Sequence, residues 1–233
     1  MAKKCVRNPN GPHLGYFFPA PPYENGYQST STAHYTRVAY KASVTANKIR
    51  YIGNCYLTTQ GSGATEKSER FPDSVFKSDP GKYDTFRPHR RLDVAVGDGE
   101  DIIHLAVFAD RLLQFKENTV YVINIQGDSE FLEDTFEHKG IKNPMNVVTT
   151  DFGVAWVNKD GCYVYSGEEN VVNILEREGR KVWPGEGATV PAQVLQRKWT
   201  DLIKNNAKIG YHPAERKLLI KSAGGDGSLE TGG

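Results

Sequence analysis

From Tyr35 onward the chain alternates short runs of β-branched and aromatic residues with brief polar interruptions. The runs are Tyr35 to Val44, Lys48 to Thr58, Ile102 to Phe108, Leu112 to Phe115, Thr119 to Ile125, Val154 to Val157 and Cys162 to Tyr165. Each is bounded by Gly, Asn, Asp or Pro, so each reads as a strand. Thr45-Ala-Asn47, Lys116-Glu-Asn118, Asn158-Lys-Asp-Gly161 and His212-Pro-Ala-Glu-Arg216 separate neighbouring runs by a few turn-forming residues. That spacing predicts β-hairpins, most clearly at Asp160-Gly161. Helical periodicity is confined to Pro191 to Asn205, where Val194, Leu195, Trp199, Leu202 and Ile203 recur near 3.6-residue spacing. The expected fold is mainly β, built of antiparallel hairpins with one short helix near 191–205.

A weak repeat organises the hairpins. Leu112-Leu-Gln-Phe, a polar turn and Val120-Tyr-Val-Ile123 match Val154-Ala-Trp-Val, a polar turn and Cys162-Tyr-Val-Tyr165, with Tyr121 and Tyr163 placed 42 residues apart. This offset falls in the range of one four-stranded propeller blade. A third hairpin, Lys208 to Tyr211 with Lys217 to Ile220, follows the helical segment. The chain supplies about three such units where a closed propeller needs about four or more, so a partial β-propeller is expected. Either a neighbour completes the last sheet or the sequence continues in a longer polypeptide.

Two segments interrupt this pattern. Residues 1–34 carry Asn-Pro-Asn-Gly-Pro and Pro19-Ala-Pro-Pro22, punctuated by Tyr16, Phe17, Phe18, Tyr23 and Tyr27. Proline at this density forbids long helices. Disordered tails usually lack aromatics, so the segment is expected to be an extended arm lying on another surface, its own core or a neighbouring subunit. Residues 60–93 are rich in Gly, Ser, Pro and charge and are expected to form a long irregular insertion. The expected division is an arm over 1–34, a propeller-like body over 35–175 with the insertion 60–93, and a helix plus terminal hairpin over 176–233.

Composition narrows the function classes. The 233 residues carry 29 Lys+Arg against 28 Asp+Glu, a net charge of +1, which argues against a globally basic nucleic-acid binder. Hydrophobic residues at 38% and aromatics at 11% suffice for a core. Uninterrupted apolar runs are only a few residues long, short of the roughly 20 that cross a bilayer as a helix. Met-Ala-Lys-Lys-Cys-Val-Arg has no apolar stretch behind its charges, so synthesis and assembly in a cytoplasm are expected. Cys5, Cys55 and Cys162 are odd in number and widely spaced, so no disulfide or zinc site is expected, and Cys55 and Cys162 read as small apolar strand residues.

No nucleophile, base, metal cluster or phosphate-loop motif assembles from local spacing, and the six histidines are scattered singly. No catalytic residue, metal or cofactor is therefore expected, and the chain reads as a non-enzyme. Acidic residues gather at Asp98, Glu100 and Asp101 and again at Asp128, Glu130, Glu133, Asp134 and Glu137, which read as solvated acidic faces. Arg87-Pro-His-Arg90-Arg91, with Lys82, Tyr83 and Phe86, suits either phosphate contact or ion pairs, with a solvated loop or a neighbouring acidic subunit favoured. The expected interaction residues are Tyr16, Phe17, Phe18, Tyr23, Tyr27, Arg87, Arg90 and Arg91. Thr149-Thr-Asp151-Phe-Gly153-Val-Ala-Trp156 resembles the Asp-box of sialidase-type propellers, departing at Ala155 where the box has Thr. Because Val154 to Val157 leads into Asn158-Lys-Asp-Gly161, the turn is expected off this stretch, making the likeness a coincidence.

Beyond these patterns, the order of several phrases resembles virion structural proteins of tailed bacteriophages. They are Tyr51-Ile-Gly-Asn54, Phe71-Pro-Asp73 with Ser78, Tyr83-Asp-Thr-Phe86, Leu92 to Ile102 with its Gly97-Asp98-Gly99, Leu105 to Phe108, Asp110 to Lys116 and Val120 to Asn124. Gly153 to Gly161 and Tyr163 to Gly167 complete the series, which covers a little over half of the chain. The resemblance implies a β-propeller in the tail or head-to-tail region, of tail-nozzle or packaged-DNA-stabilisation type. It further implies a ring of copies at the tail axis of the virion, touching portal, adaptor or tail proteins, with non-specific contact to passing DNA and no catalytic residues. The alternatives are a glycan-binding or carbohydrate-active propeller, in which Asp151 and the acidic clusters matter, and a cellular interaction propeller.

Overall fold

Period-two alternation and Gly/Asn-bounded runs dictate strands, and strands dominate the computed structural model, which describes residues 3–6, 35–60, 66–127, 129–168, 170–177, 180–181, 199–203 and 207–221. Every sheet is antiparallel and joins strands in chain order. The first contains β1 (Lys3–Val6), β2 (Tyr35–Ala46), β3 (Ile49–Gln60), β4 (Glu66–Asp79) and β5 (Lys82–Asp93). The β2–β3 turn sits at Asn47-Lys48, whose φ values of 49° and 60° give the left-handed pair that a tight hairpin requires.

The irregular insertion expected over 60–93 is overturned, because Glu66–Asp79 and Lys82–Asp93 are long strands. Prolines and charges hide the apolar set Phe71, Val75, Phe76, Phe86 and Leu92, which packs on the β2–β3 hairpin. Pro72 survives within β4 because the β3–β4 register breaks around it, with Val75 opposite Gly53 and Phe71 opposite Cys55. Free of a ladder bond, the Pro72 carbonyl accepts from Ile102 N–H at 2.8 Å. Such breaks let the sheet curl like half a barrel. At the chain start, the arm reading is corrected for Lys3–Val6, which pairs with Tyr35–Val38 as an edge strand.

Two four-stranded sheets follow. One joins β6 (His104–Phe108), β7 (Arg111–Phe115), β8 (Thr119–Asn124) and β9 (Phe131–Glu137), and the next joins β10 (Val147–Thr149), β11 (Val154–Val157), β12 (Cys162–Tyr165) and β13 (Val172–Asn173). The sequence repeat falls on equivalent hairpins, β7–β8 and β11–β12. A 3-10 turn, Pro144–Asn146, connects the sheets. Then come the short pair β14 (Glu176–Arg177) and β15 (Arg180–Lys181), helix α1 over 199–203, and the hairpin of β16 (Lys208–His212) and β17 (Lys217–Lys221). Of the helix expected over 191–205, residues 191–198 and 204–205 lie outside the described residues.

The sheets pack in succession. Strand β2 of the first sheet lies beside β6, the first strand of the next; β6 lies beside β10, and β10 beside β16. Side chains on the middle strands alternate between two cores, as period two demands. In β11, Val154 and Trp156 face Phe115, Val120 and Val122 of the previous sheet, whereas Ala155 and Val157 face Trp199 and Ile209 of the following elements. Burial on both sides explains why Val-Ala-Trp-Val carries no polar residue. Cys55 and Cys162 sit inside these cores as free thiols, and burial pushes both up to about 12.

Candidate functional site

Arg90 and Arg91 are consecutive on β5, at a break in the β4–β5 register between the pairs Phe76–Arg91 and Ser78–Phe86. Arg90 pairs with Asp79 at 3.4 Å. Arg91 pairs with Asp93 at 2.7 Å, and its guanidinium lies over the Phe71 ring at 5.3 Å from the centroid. The strand brings neither guanidinium to the other, and each has a carboxylate within its own sheet. Arg87 is also on β5, with its side chain outside the described residues, and Phe86 is buried. Tyr16, Phe17, Phe18, Tyr23 and Tyr27 all lie outside the described residues.

The carboxylates of the first acidic cluster keep access to solvent but are engaged by partners. Residues 94–101 fold into a loop whose Ala95, Gly97 and Gly99 have φ of 53°, 83° and 85°. The loop closes over Lys116, whose side chain is fully buried. Lys116 Nζ donates to Asp98 Oδ1 and Oδ2 at 2.8 and 2.7 Å and to the Ala95 carbonyl at 2.9 Å. Tyr121 OH donates to Asp98 Oδ2 at 3.2 Å, and Lys116 lies 5.4 Å from the Tyr121 ring centroid. Partial burial pushes the Asp98 carboxyl up, but hydrogen bonds from Lys116, the Glu100 N–H and Tyr121, with the lysine charge, outweigh it and hold the group below its usual range. Glu100 accepts from the Asn118 N–H at 3.1 Å, and Asp101 pairs with Arg70. In the second cluster, Glu130 pairs with Lys77, and Glu133 accepts from Arg111 Nη2 and Asn124 Nδ2, each at 3.0 Å. These carboxylates bind loops and strands together, a use that local charge density alone does not reveal.

The Asp-box-like stretch lies on a turn after all, contrary to the expectation that the turn would miss it. Thr150 to Gly153 connects β10 to β11, with Thr150 N–H and Oγ1–H both donating to the Gly153 carbonyl at 2.8 Å. Strand β10, only three residues long, gave too little pattern to announce the hairpin. Besides accepting from its own backbone N–H, the Asp151 carboxylate reaches β16–β17, accepting from Tyr211 OH and, at 3.2 Å, from Arg216. The Tyr211 bond, chiefly, keeps Asp151 below the usual carboxylate range. Phe152 stacks edge-on against Tyr211 at 5.6 Å.

Asn158 organises a third place that sequence reasoning passed over as a turn residue. Its Nδ2 donates to the His138 and Gly140 carbonyls at 3.1 Å each, and its Oδ1 accepts from Asp160 and Gly161 N–H at 2.8 and 3.1 Å. Its carbonyl accepts from Trp199 Nε1 at 2.9 Å. These bonds join both four-stranded sheets to α1 around a cleft of about 700 Å³, with Glu117, Lys142 and Thr200 on its walls. Among the described residues, no group of three or more His, Cys, Asp or Glu is placed to hold a metal ion. Comparison with protein-family models and with curated proteins finds no match.

Proposed function

We propose that the chain is a structural component of a tailed-bacteriophage tail or neck, assembling with copies of itself and with portal, adaptor or tail proteins around the DNA channel of the virion. The observation that carries this reading is the succession of antiparallel units whose first strands, β6, β10 and β16, lie side by side. Each of the two four-stranded sheets buries one face against the unit before it and the other against the unit after it, as stacked propeller blades do. In this reading the body is a partial propeller, and the units run in the same order as the phrases that resemble the phage proteins. The ion pairs of Asp98, Asp101, Glu130 and Glu133 agree with a rigid body whose charges hold loops in place.

Assembly then rests on surfaces that other subunits cover, with the aromatic segment 16–27 as the leading contact. The test is light scattering of the purified full chain beside a variant carrying Tyr16→Ser, Phe17→Ser, Phe18→Ser, Tyr23→Ser and Tyr27→Ser. These substitutions spare β1, whose removal would strip an edge from the first sheet. A closed multi-copy ring that the variant loses, with an unchanged melting transition, is the expected result. A wild-type chain that stays monomeric at every concentration overturns the reading. The glycan-binding alternative draws on the Asp-box-like turn, but the Asp151 carboxylate is already engaged by Tyr211 and Arg216. Glycan binding or hydrolysis abolished by Asp151→Ala would move that alternative first.

A further inference from the structure

The β16–β17 hairpin has two unlike faces. Cross-strand partners share a face, so Ile209 with Ile220 and Tyr211 with Leu218 point one way, while Lys208 with Lys221, Gly210 with Leu219 and His212 with Lys217 point the other. Ile209, Leu218 and Ile220 pack on the core of the second four-stranded sheet. Lys208, Lys217 and Lys221 are exposed, and Leu219 is 56% exposed between them. Residues 208–221 hold four Lys or Arg and one acid in a chain of net charge +1, so this hairpin is locally basic, as residues 82–91 are.

Lys208 stands directly opposite Lys221, an arrangement that destabilises an isolated hairpin. The hairpin's other charges are spoken for: Glu215 pairs with Lys217 at 2.8 Å and Arg216 with Asp151 at 3.2 Å. Among the described residues, no carboxylate lies within ion-pair distance of Lys208 or Lys221. An anion from outside the chain would relieve the repulsion that this cross-strand pair creates.

We propose that this face is a docking surface for the phosphate backbone of duplex DNA. Lys217, whose pair with Glu215 is solvent-exposed and therefore weak, and Lys221 are four residues apart, about 13 Å along the strand, a length matched by about four base-pair steps of duplex. A ribbon lying along the backbone therefore meets more than one phosphate. Single-stranded nucleic acid is disfavoured because the face offers no stacking platform: its one ring, His212, is turned back so that Nδ1 accepts the Glu215 N–H at 3.2 Å. A membrane is disfavoured because Leu219 is the one large apolar side chain on the face. The inference rests on the tail-or-neck reading only for where DNA would be met; the surface itself is argued from charge and register.

The experiment titrates the full-length chain with a fluorescent duplex of mixed sequence, roughly 30 base pairs, from about 50 to 200 mM salt. Weak binding with a steep negative dependence of log K on log salt is expected. Lys208→Gln with Lys221→Gln should weaken binding several-fold at low salt and flatten the slope by about 2. Lys41→Gln with Lys48→Gln removes the same charge from exposed positions of the first sheet and should leave binding unchanged. Leu219→Glu, which keeps all the lysines but places a carboxylate among them, should also weaken binding, and melting curves check that each variant folds. No binding at about 50 mM salt, equal loss in both lysine pairs, or stronger binding of poly-glutamate than of duplex overturns the proposal. Light scattering keeps the two readings apart: a ring indifferent to DNA sinks only this one, and a DNA-binding monomer sinks only the ring.

Discussion

Trp156 meets Phe115 edge to face, with ring centroids 5.3 Å apart, at the junction of the two four-stranded sheets. The indole also lies 5.6 Å from Tyr163 and donates Nε1–H to the Lys139 carbonyl at 2.6 Å. One side chain thus fixes β11 to the neighbouring sheet and to the connection after β9. Trp156→Ala opens a large cavity and leaves a carbonyl unpaired, so a loss of about 3–5 kcal/mol is expected in denaturant unfolding. Trp156→Phe keeps most of the packing but not the hydrogen bond, and should cost about 1–2 kcal/mol.

Lys116 is a buried cation whose place is set by Asp98 and the Ala95 carbonyl. Lys116→Met strands the Asp98 carboxylate, which retains partial access to water, so the expected cost is about 1–3 kcal/mol. Adding Asp98→Asn removes the stranded charge and should recover part of that loss, a coupling that a double-mutant cycle measures. Because Asp98 is held below its unfolded value, its contribution is present above about pH 4 and disappears as pH falls through the folded value. The acid limb of the wild-type stability curve should therefore be steeper than that of the double variant.

Legibility from sequence followed the strength of local pattern. The stretches Val154 to Val157 and Cys162 to Tyr165 were readable to the residue because both faces of each strand are buried and Asn158-Lys-Asp-Gly161 closes a short turn. Strands β4 and β5 were not, since Arg, Asp, Glu and Ser on the exposed side and Pro72 at a register break mask their apolar positions. The pairing of Asp98 and Glu100 was not legible because their partners Lys116 and Asn118 are 18 residues away in sequence. Asn158 was read as a turn residue, and nothing local shows that its amide reaches back to His138 and Gly140.

His104, at the start of β6, sits against Phe115 with centroids 6.2 Å apart, and burial lowers its affinity for a proton. The unfolded chain binds that proton more readily, with an ordinary value of about 6.5. Its contribution to stability is thus complete above that value and is lost as pH falls through the lower folded one. Unfolding free energy should decline as pH falls from about 6.5 toward the lower folded value, and His104→Gln should flatten that part of the curve. A wild-type curve level across this interval would contradict the burial argument.

Gly140 and Gly210 make a matched pair for testing backbone packing. A Cβ on Gly140 would lie 2.5 Å from the Lys116 carbonyl oxygen and from the Glu117 carbonyl group, all backbone atoms that cannot swing aside. The same segment is held twice, by Gly140 N–H donating to the Asn118 carbonyl and by Ile141 N–H donating to the Lys116 carbonyl. Relief of the clash must therefore break the β7–β8 turn away from the connection that carries His138 and Lys142, loosening one wall of the Asn158 cleft. Gly140→Ala should cost more than the roughly 1–3 kcal/mol typical of overpacking. A Cβ on Gly210 meets nothing within 4 Å, and the residue lies in mid-strand. Gly210→Ala should be neutral or stabilise by about 0.5–1 kcal/mol, since alanine has less freedom to lose on folding. Thermal melts of the two variants side by side decide the matter: equal shifts would mean that strand propensity, not the backbone contact, governs both positions.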